Sequence, residues 1–342
     1  MQGDSFQTPA PAPVPAAPPP LRPLSIGELF DRAFSLYFRH ILVFAAVLFV
    51  VAIPYAAIAL LQLYLQHGIL DAYAAIIDSA IKHPSTPPDL SGVLSAAQNE
   101  NMGTMLAAYA VSALGYVLIL FALPLANAAV VSGVSRAYLG LPVRFRYCYQ
   151  DAFRRYGYVL LLTFLWLLVL GVILTAAFFV LIVLMVGLTA IAMGLHVVGA
   201  IIAGIVGVAL SIAAVLFIVL AYMAFASSFV ACVLEKADPI RSFVLGVTRI
   251  FGGGLFVRSS WVALALAGMY VGFVIVAIVL AGLSVYLTRS FFLYVAIAQF
   301  INVFYVAFAI VVVSVYYYDI RIRREGFDIQ MLADQLAGSS TP

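Results

Sequence analysis

The chain has 342 residues, of which 65% are hydrophobic and only 9% charged, with a formal net charge of +3. Ordinary soluble domains carry roughly 25% charged residues. A soluble enzyme or a nucleic-acid-binding module is therefore excluded, and lipid is the expected solvent.

Residues 1–23 hold eight of the sixteen prolines. They are expected to form a polyproline-type, unpacked cytoplasmic tail, either a spacer or a ligand for a proline-binding partner. They lack the apolar core of a signal peptide.

Leu24–His40, LSIGELFDRAFSLYFRH, comes next. Ser25 and Glu28 have capping-box spacing, and Leu24 and Leu29 flank them at the staple positions. Ile26, Phe30, Ala33, Tyr37 and Ile41 recur at three- and four-residue spacing and make one apolar face. Glu28, Asp31, Arg32, Ser35 and Arg39 make the charged one. Such a helix, abutting a span, is expected to lie at the membrane surface. Gln150–Tyr156 and Asp238–Phe243 resemble it loosely. In the latter, Asp238 is a natural N-cap, Pro239 a natural first helical residue and Gly252–Gly254 a stop.

Six long blocks, uncharged but for Arg258 near the start of the fifth, follow the opening helix: Ile41–Leu65, Met105–Gly133, Gly157–Gly187, Val197–Val230, Leu255–Leu287 and Phe291–Tyr318. Each exceeds the roughly 20 residues a span needs. The expected fold is an all-α, polytopic helical bundle of six spans, arranged as three repeats of an interfacial helix plus a two-span hairpin. Its membrane domain is 24–319, with an external loop at about 66–103 and a basic cytoplasmic tail at 320–342. Within that loop, Ala72–Ile81 has helical character. The stretch Tyr156–Leu234 has no charged residue and is expected to be one hairpin turning near Gly187–His196. Pro54 and Pro124 are expected to kink their spans. Gly199, Ala203, Gly207 and Ser211 fall four apart and would admit a close neighbour.

Fifteen of the seventeen Lys and Arg lie in the segments ending at Arg39, spanning Arg136–Arg155, spanning Lys236–Arg258 or following Tyr318. The positive-inside rule then puts both termini in the cytoplasm.

Residues that could carry chemistry are few. Ser79–Lys82 fits S-x-x-K with no accompanying motif, and Gly252–Gly254 lacks the context of a phosphate loop. Cys148 and Cys232 have no second ligand at metal spacing, and His196 is expected in a solvated turn. No catalytic residue, metal or cofactor is expected. Asn127, Gln299 and Asn302 are polar residues within spans, expected either to hydrogen-bond between helices or to line a solute path.

The C-terminal YYYDIRIRREGFD, Tyr316–Asp328, is the most distinctive string. Its tyrosines are expected to form an interfacial belt. Arg321, Arg323 and Arg324, as a helix or a strand, would reach phosphate depth. With Arg32, Arg39, Arg154 and Arg155 they are candidate contacts for anionic lipid head groups or a partner.

Three stretches carry a likeness: LSIGELFDRAFSLYFRH, FVACVLEKADPIRSFVLGVTRIFGG at Phe229–Gly253, and YYYDIRIRREGFDIQMLA at Tyr316–Ala333. The chain resembles bacterial proteins related to the membrane domain attached to some glycerophosphoryl diester phosphodiesterases. The resemblance implies a helical multi-pass domain and carries over no catalytic residue. The expected function is non-enzymatic: structural, lipid-interacting or partner-assembling, alone or as a homo-oligomer. The alternative is a transporter for a small uncharged or amphipathic solute.

Overall fold

The computed structural model describes residues 22–68, 101–252, 254–288 and 291–326, with positions 76, 79, 82, 91, 92 and 95 between the first two. Side chains within 188–197 lie outside that description, His196 included. So do the Pro-rich tail, most of the loop expected to be external and its expected helical stretch, and the chain beyond 326. Among the described residues every regular element is helical. Among the described residues six helical stretches are long and apolar enough to cross a membrane, and the chain is a membrane protein.

Helix α1 (Ile26–Leu65) starts at the expected capping box. Ser25 N donates to Glu28 Oε2 at 2.8 Å, and Glu28 N donates to Ser25 Oγ at 3.2 Å. Leu29, Phe30, Ala33 and Tyr37 are buried, while Phe38 and Leu42 are exposed. The amphipathic part ends where His40 leaves helical geometry (φ −124°, ψ 16°). The break therefore falls where the surface helix meets the apolar stretch, and Pro54 lies inside the helix beyond it.

Helix α2 (Met102–Tyr138), also with an internal proline at Pro124, is followed by the short α3 (Phe145–Phe153). Helix α4 (Tyr156–Leu234) is assigned helical over 79 residues. A straight helix of that length would extend about 120 Å. Yet the rings of Trp166 and Phe225 lie 5.9 Å apart, so α4 doubles back, at about residue 195 by their midpoint. The expected hairpin is present, and its two arms, Tyr156–Leu184 and Ile201–Leu234, are each long and apolar enough to cross a membrane.

Helix α5 (Pro239–Phe251) begins at Asp238 with Pro239 in its first turn. Asp238 holds the N-cap position by its backbone only, since its side chain makes no cap bond. Gly246 of α5 presses on the returning half of α4: a Cβ there would stand 2.6 Å from Ala224 O and 2.7 Å from Ser228 N. Helices α6 (Phe256–Thr288) and α7 (Phe291–Glu325) complete the chain. With the part of α1 before His40 counted apart from the rest, and the two arms of α4 counted separately, one short helix precedes two long apolar stretches three times.

Burial is concentrated at one end. Every residue from Val311 to Ile320 on α7 is buried, as are Ala128–Val134 on α2 and Ser227–Val233 on α4. By contrast, nearly all of Gly171–Val219 on the α4 hairpin whose side chains are described is exposed or half-buried. A helix that is apolar on all sides and unpacked against protein requires lipid around it.

Candidate functional site

The buried end is organised by α7. Asp319, fully buried, accepts from Leu24 N at 2.8 Å, from Arg258 Nε at 3.1 Å and from Arg323 Nε at 3.0 Å. Arg258 and Arg323 then each donate an Nη2 to Leu24 O, at 2.7 and 2.6 Å. Both backbone groups of Leu24, just outside the α1 cap, are thereby satisfied by one buried carboxylate and its two counter-ions. A buried charge is tolerated only when paired and hydrogen-bonded in this way.

A second set surrounds Arg249 on α5, which is 4% exposed. It donates to Tyr317 Oη at 2.7 Å, pairs with Glu235 at 2.8 Å, and also pairs with Glu325. Tyr317 in turn donates to Glu235. Arg321 stands 3.0 Å from Glu325 and 3.4 Å from Glu235. Burial alone would weaken the Arg249 charge. Tyr317, Glu235 and Glu325 more than offset that, and its pKa lies above the ordinary arginine value. Arg324 covers the end of α5, donating to Thr248 O at 3.1 Å and to Gly252 O. Thr248 O also accepts from Gly252 N at 2.9 Å, and both carbonyls lie at the C-terminal end of a helix, where a nearby cation is favoured.

The expected tyrosine belt is corrected by this geometry. Tyr316, Tyr317 and Tyr318 are 1%, 0% and 4% exposed. Tyr316 shares a hydrogen bond with Ser259 at 2.7 Å and Tyr318 one with Ser135 at 2.9 Å. Tyr318 also stacks on Tyr138 (4.5 Å, 2° between planes), and the Arg32 guanidinium lies 4.4 Å from the centre of the Tyr138 ring. The hydroxyls face partners on other helices, which is how buried tyrosine is accommodated.

Arg321, Arg323 and Arg324 are thus brought together as a helix and engaged with the protein's own carboxylates and carbonyls. Among the other basic candidates, Arg155 lies 5.2 Å over Tyr158, and Arg39 and Arg154 are exposed. Sequence reasoning missed Arg249, Arg258, Glu235, Asp319 and Glu325 as a set. Only the i,i+4 spacings Asp319–Arg323 and Arg321–Glu325 on α7 were visible in advance.

The intramembrane amides do not form one site. Asn127 borders a small space of about 60 Å³ beside Tyr222, and its Oδ1 is buried without a hydrogen-bond partner. Gln299 and Asn302 instead line a space of about 300 Å³ between α6 and α7, with Tyr270, Tyr294 and Tyr305. They also border a second, of about 100 Å³, toward α1 and α2. Asn302 lies roughly 24 Å along the helix axis from Tyr318. A larger groove of about 620 Å³ runs between the surface part of α1 and helices α6 and α7. Phe34, Tyr37 and Phe38 wall one side, and Met269, Phe304 and Phe308 stand among the residues of the other. Among the described residues no group of three or more His, Cys, Asp or Glu is placed to hold a metal.

A domain-family model, the domain of unknown function DUF8558, matches residues 17–340, and the chain belongs to that family. No curated protein and no solved structure matches it.

Proposed function

We propose that this chain is a non-enzymatic protein of the bacterial inner membrane, crossing it six times with both termini in the cytoplasm, and that it interacts with lipid. The orientation is supported by the basic residues, which gather at the ends where the short helices α3 and α5 lie. The reading as a relative of the membrane domain attached to some glycerophosphoryl diester phosphodiesterases belongs to the same proposal and rests on the three stretches quoted above.

One observation carries the lipid role. The aromatic face of a surface helix and two long apolar helices enclose a groove of about 620 Å³ with walls of Phe, Ile, Val, Leu and Met. That volume lies within the usual range of ligand sites, roughly 300–1,000 Å³. An apolar space of this size in a bilayer is filled by hydrocarbon. A transporter is the second reading, favoured by the separate polar space at Gln299 and Asn302.

Purification in mild membrane extracts, with bound lipids and proteins identified by mass spectrometry, tests the proposal. A retained lipid set enriched over the parent membrane, and reduced when Gly272 in the groove wall is changed to Phe, is expected. A set matching bulk membrane in both proteins would sink the lipid role.

A further inference from the structure

The groove and the polar space abut. Phe273 and Ile301 line both. On one side of this shared wall the surroundings are hydrocarbon. On the other, Gln299 and Asn302 sit among three tyrosines, and neither amide makes a hydrogen bond to another described residue. Of the tyrosine hydroxyls, Tyr305 is engaged, donating to Leu266 O at 3.3 Å. An amide offers two donors and an acceptor that need partners away from water. Neither space is lined by a charged residue.

We infer that the two spaces together bind one neutral long-chain amphiphile, whose hydroxyl, amide or ester meets Gln299 and Asn302 while its chain lies in the aromatic groove. This rests on the lipid-interacting reading above and narrows it. A phosphate would be buried here without a counter-charge, at high cost. The guanidiniums of Arg321, Arg323 and Arg324, which could have met one, are joined instead to Glu325, Asp319 and the carbonyl of Gly252. Selection against anionic lipid therefore comes from the absence of any cation in the lining, and selection for a polar group from the two amides.

The test uses the full-length protein in nanodiscs and a diazirine-bearing hexadecanol as photoprobe. Labelling is expected on α6 and α7, displaced by unlabelled hexadecanol and not by phosphatidylglycerol. The double variant Gln299→Leu, Asn302→Leu keeps helix-compatible residues in place and should lose about fivefold or more of the labelling. Gly272→Phe, or Val276→Phe if the first variant does not fold, should lose it as well by filling the groove. Displacement by phosphatidylglycerol equal to that by hexadecanol overturns the inference. So does parental labelling of the double-Leu variant. If the groove-filling variants also label like the parent, the lipid-interacting reading fails with it.

Discussion

Asp319 Oδ1 accepts a hydrogen bond from the backbone nitrogen of Leu24 at 2.8 Å, across 295 residues of sequence. The first turn of the surface helix is thus tied to the last turns of the final helix. The tie is electrostatically closed, because Arg258 and Arg323 serve the carboxylate and the Leu24 carbonyl together. Asp319→Ala would leave two arginines facing an empty buried site. A loss of about 3–5 kcal/mol is expected, as when one member of a buried pair is removed. Thermal unfolding of the purified protein, followed by circular dichroism, reads it, with faster amide exchange over Ile26–Leu29 as the local sign. Unchanged exchange there would mean that the clamp is not what holds the surface helix.

Arg249 is the corresponding hub on α5. Arg249→Met keeps length and apolar contact but takes from Glu235 and Glu325 their most deeply buried cation, leaving Arg321 to serve both. Destabilisation of about 3–5 kcal/mol is expected. The triple change Arg249→Met, Glu235→Gln, Glu325→Gln removes Arg249 with both of its carboxylates, leaving Arg321 as the charge of the cluster, and should recover part of that loss. A triple variant as unstable as the single one would show that the charges are not what Arg249 holds.

Gly246 tests the packing of α5 on α4. A methyl group at this position would stand 2.6 Å from a backbone oxygen and 2.7 Å from a backbone nitrogen, neither of which can swing aside. Overpacking of this kind costs about 1–3 kcal/mol. Gly246→Ala should lower the melting temperature, while Gly268→Ala, with open space around it, should not. Equal melting temperatures for the two variants would place α5 further from α4 than the structure does.

Both native cysteines are buried, and burial raises the Cys148 thiol to about 11. Almost none of it is thiolate near neutrality, and the thiolate is the reactive form. A maleimide reagent should leave the folded protein unmodified and react only after denaturation. Reaction before denaturation would show that the region around α3 opens.

The silent native cysteines allow a topology experiment without removing them. Gln150 on α3 is exposed, and Ser95 lies in the long connection between α1 and α2. In intact cells lacking an outer barrier, an impermeant reagent should label Ser95→Cys and spare Gln150→Cys. The reverse pattern would invert the proposed orientation.

Much of the architecture was legible because long apolar runs and local caps are local properties. Ser25 and Glu28 need only each other, and the six blocks declare themselves by length. The α4 hairpin was legible as well, because basic segments flank it on both sides. The fate of Tyr316–Arg324 was not. A run of tyrosine, arginine and isoleucine has the same composition whether it faces a bilayer or other helices. The partners that decide the matter, Ser135, Glu235, Arg258 and Leu24, are 70 or more residues away for most of its contacts. The amides were legible as polar residues in apolar surroundings. Their division between two places was not, since Asn127 lies on a different helix from Gln299 and Asn302.

The Leu24–Asp319 clamp also imposes an order of events in synthesis. Leu24 leaves the ribosome 295 residues before Asp319. At roughly 5–20 residues per second, the opening helix waits on the order of 15–60 s for the carboxylate that holds it. During that interval its aromatic face has only lipid, chaperone or the first hairpin to cover it. Arg258 reaches the membrane surface before its counter-ion exists. A chain stopped short of residue 319 therefore leaves its first helix and an arginine without the carboxylate they need, and should be recognised by proteolytic quality control much faster than the finished protein. The clamp works as a completion mark for the helical domain, closing only when Asp319 has arrived.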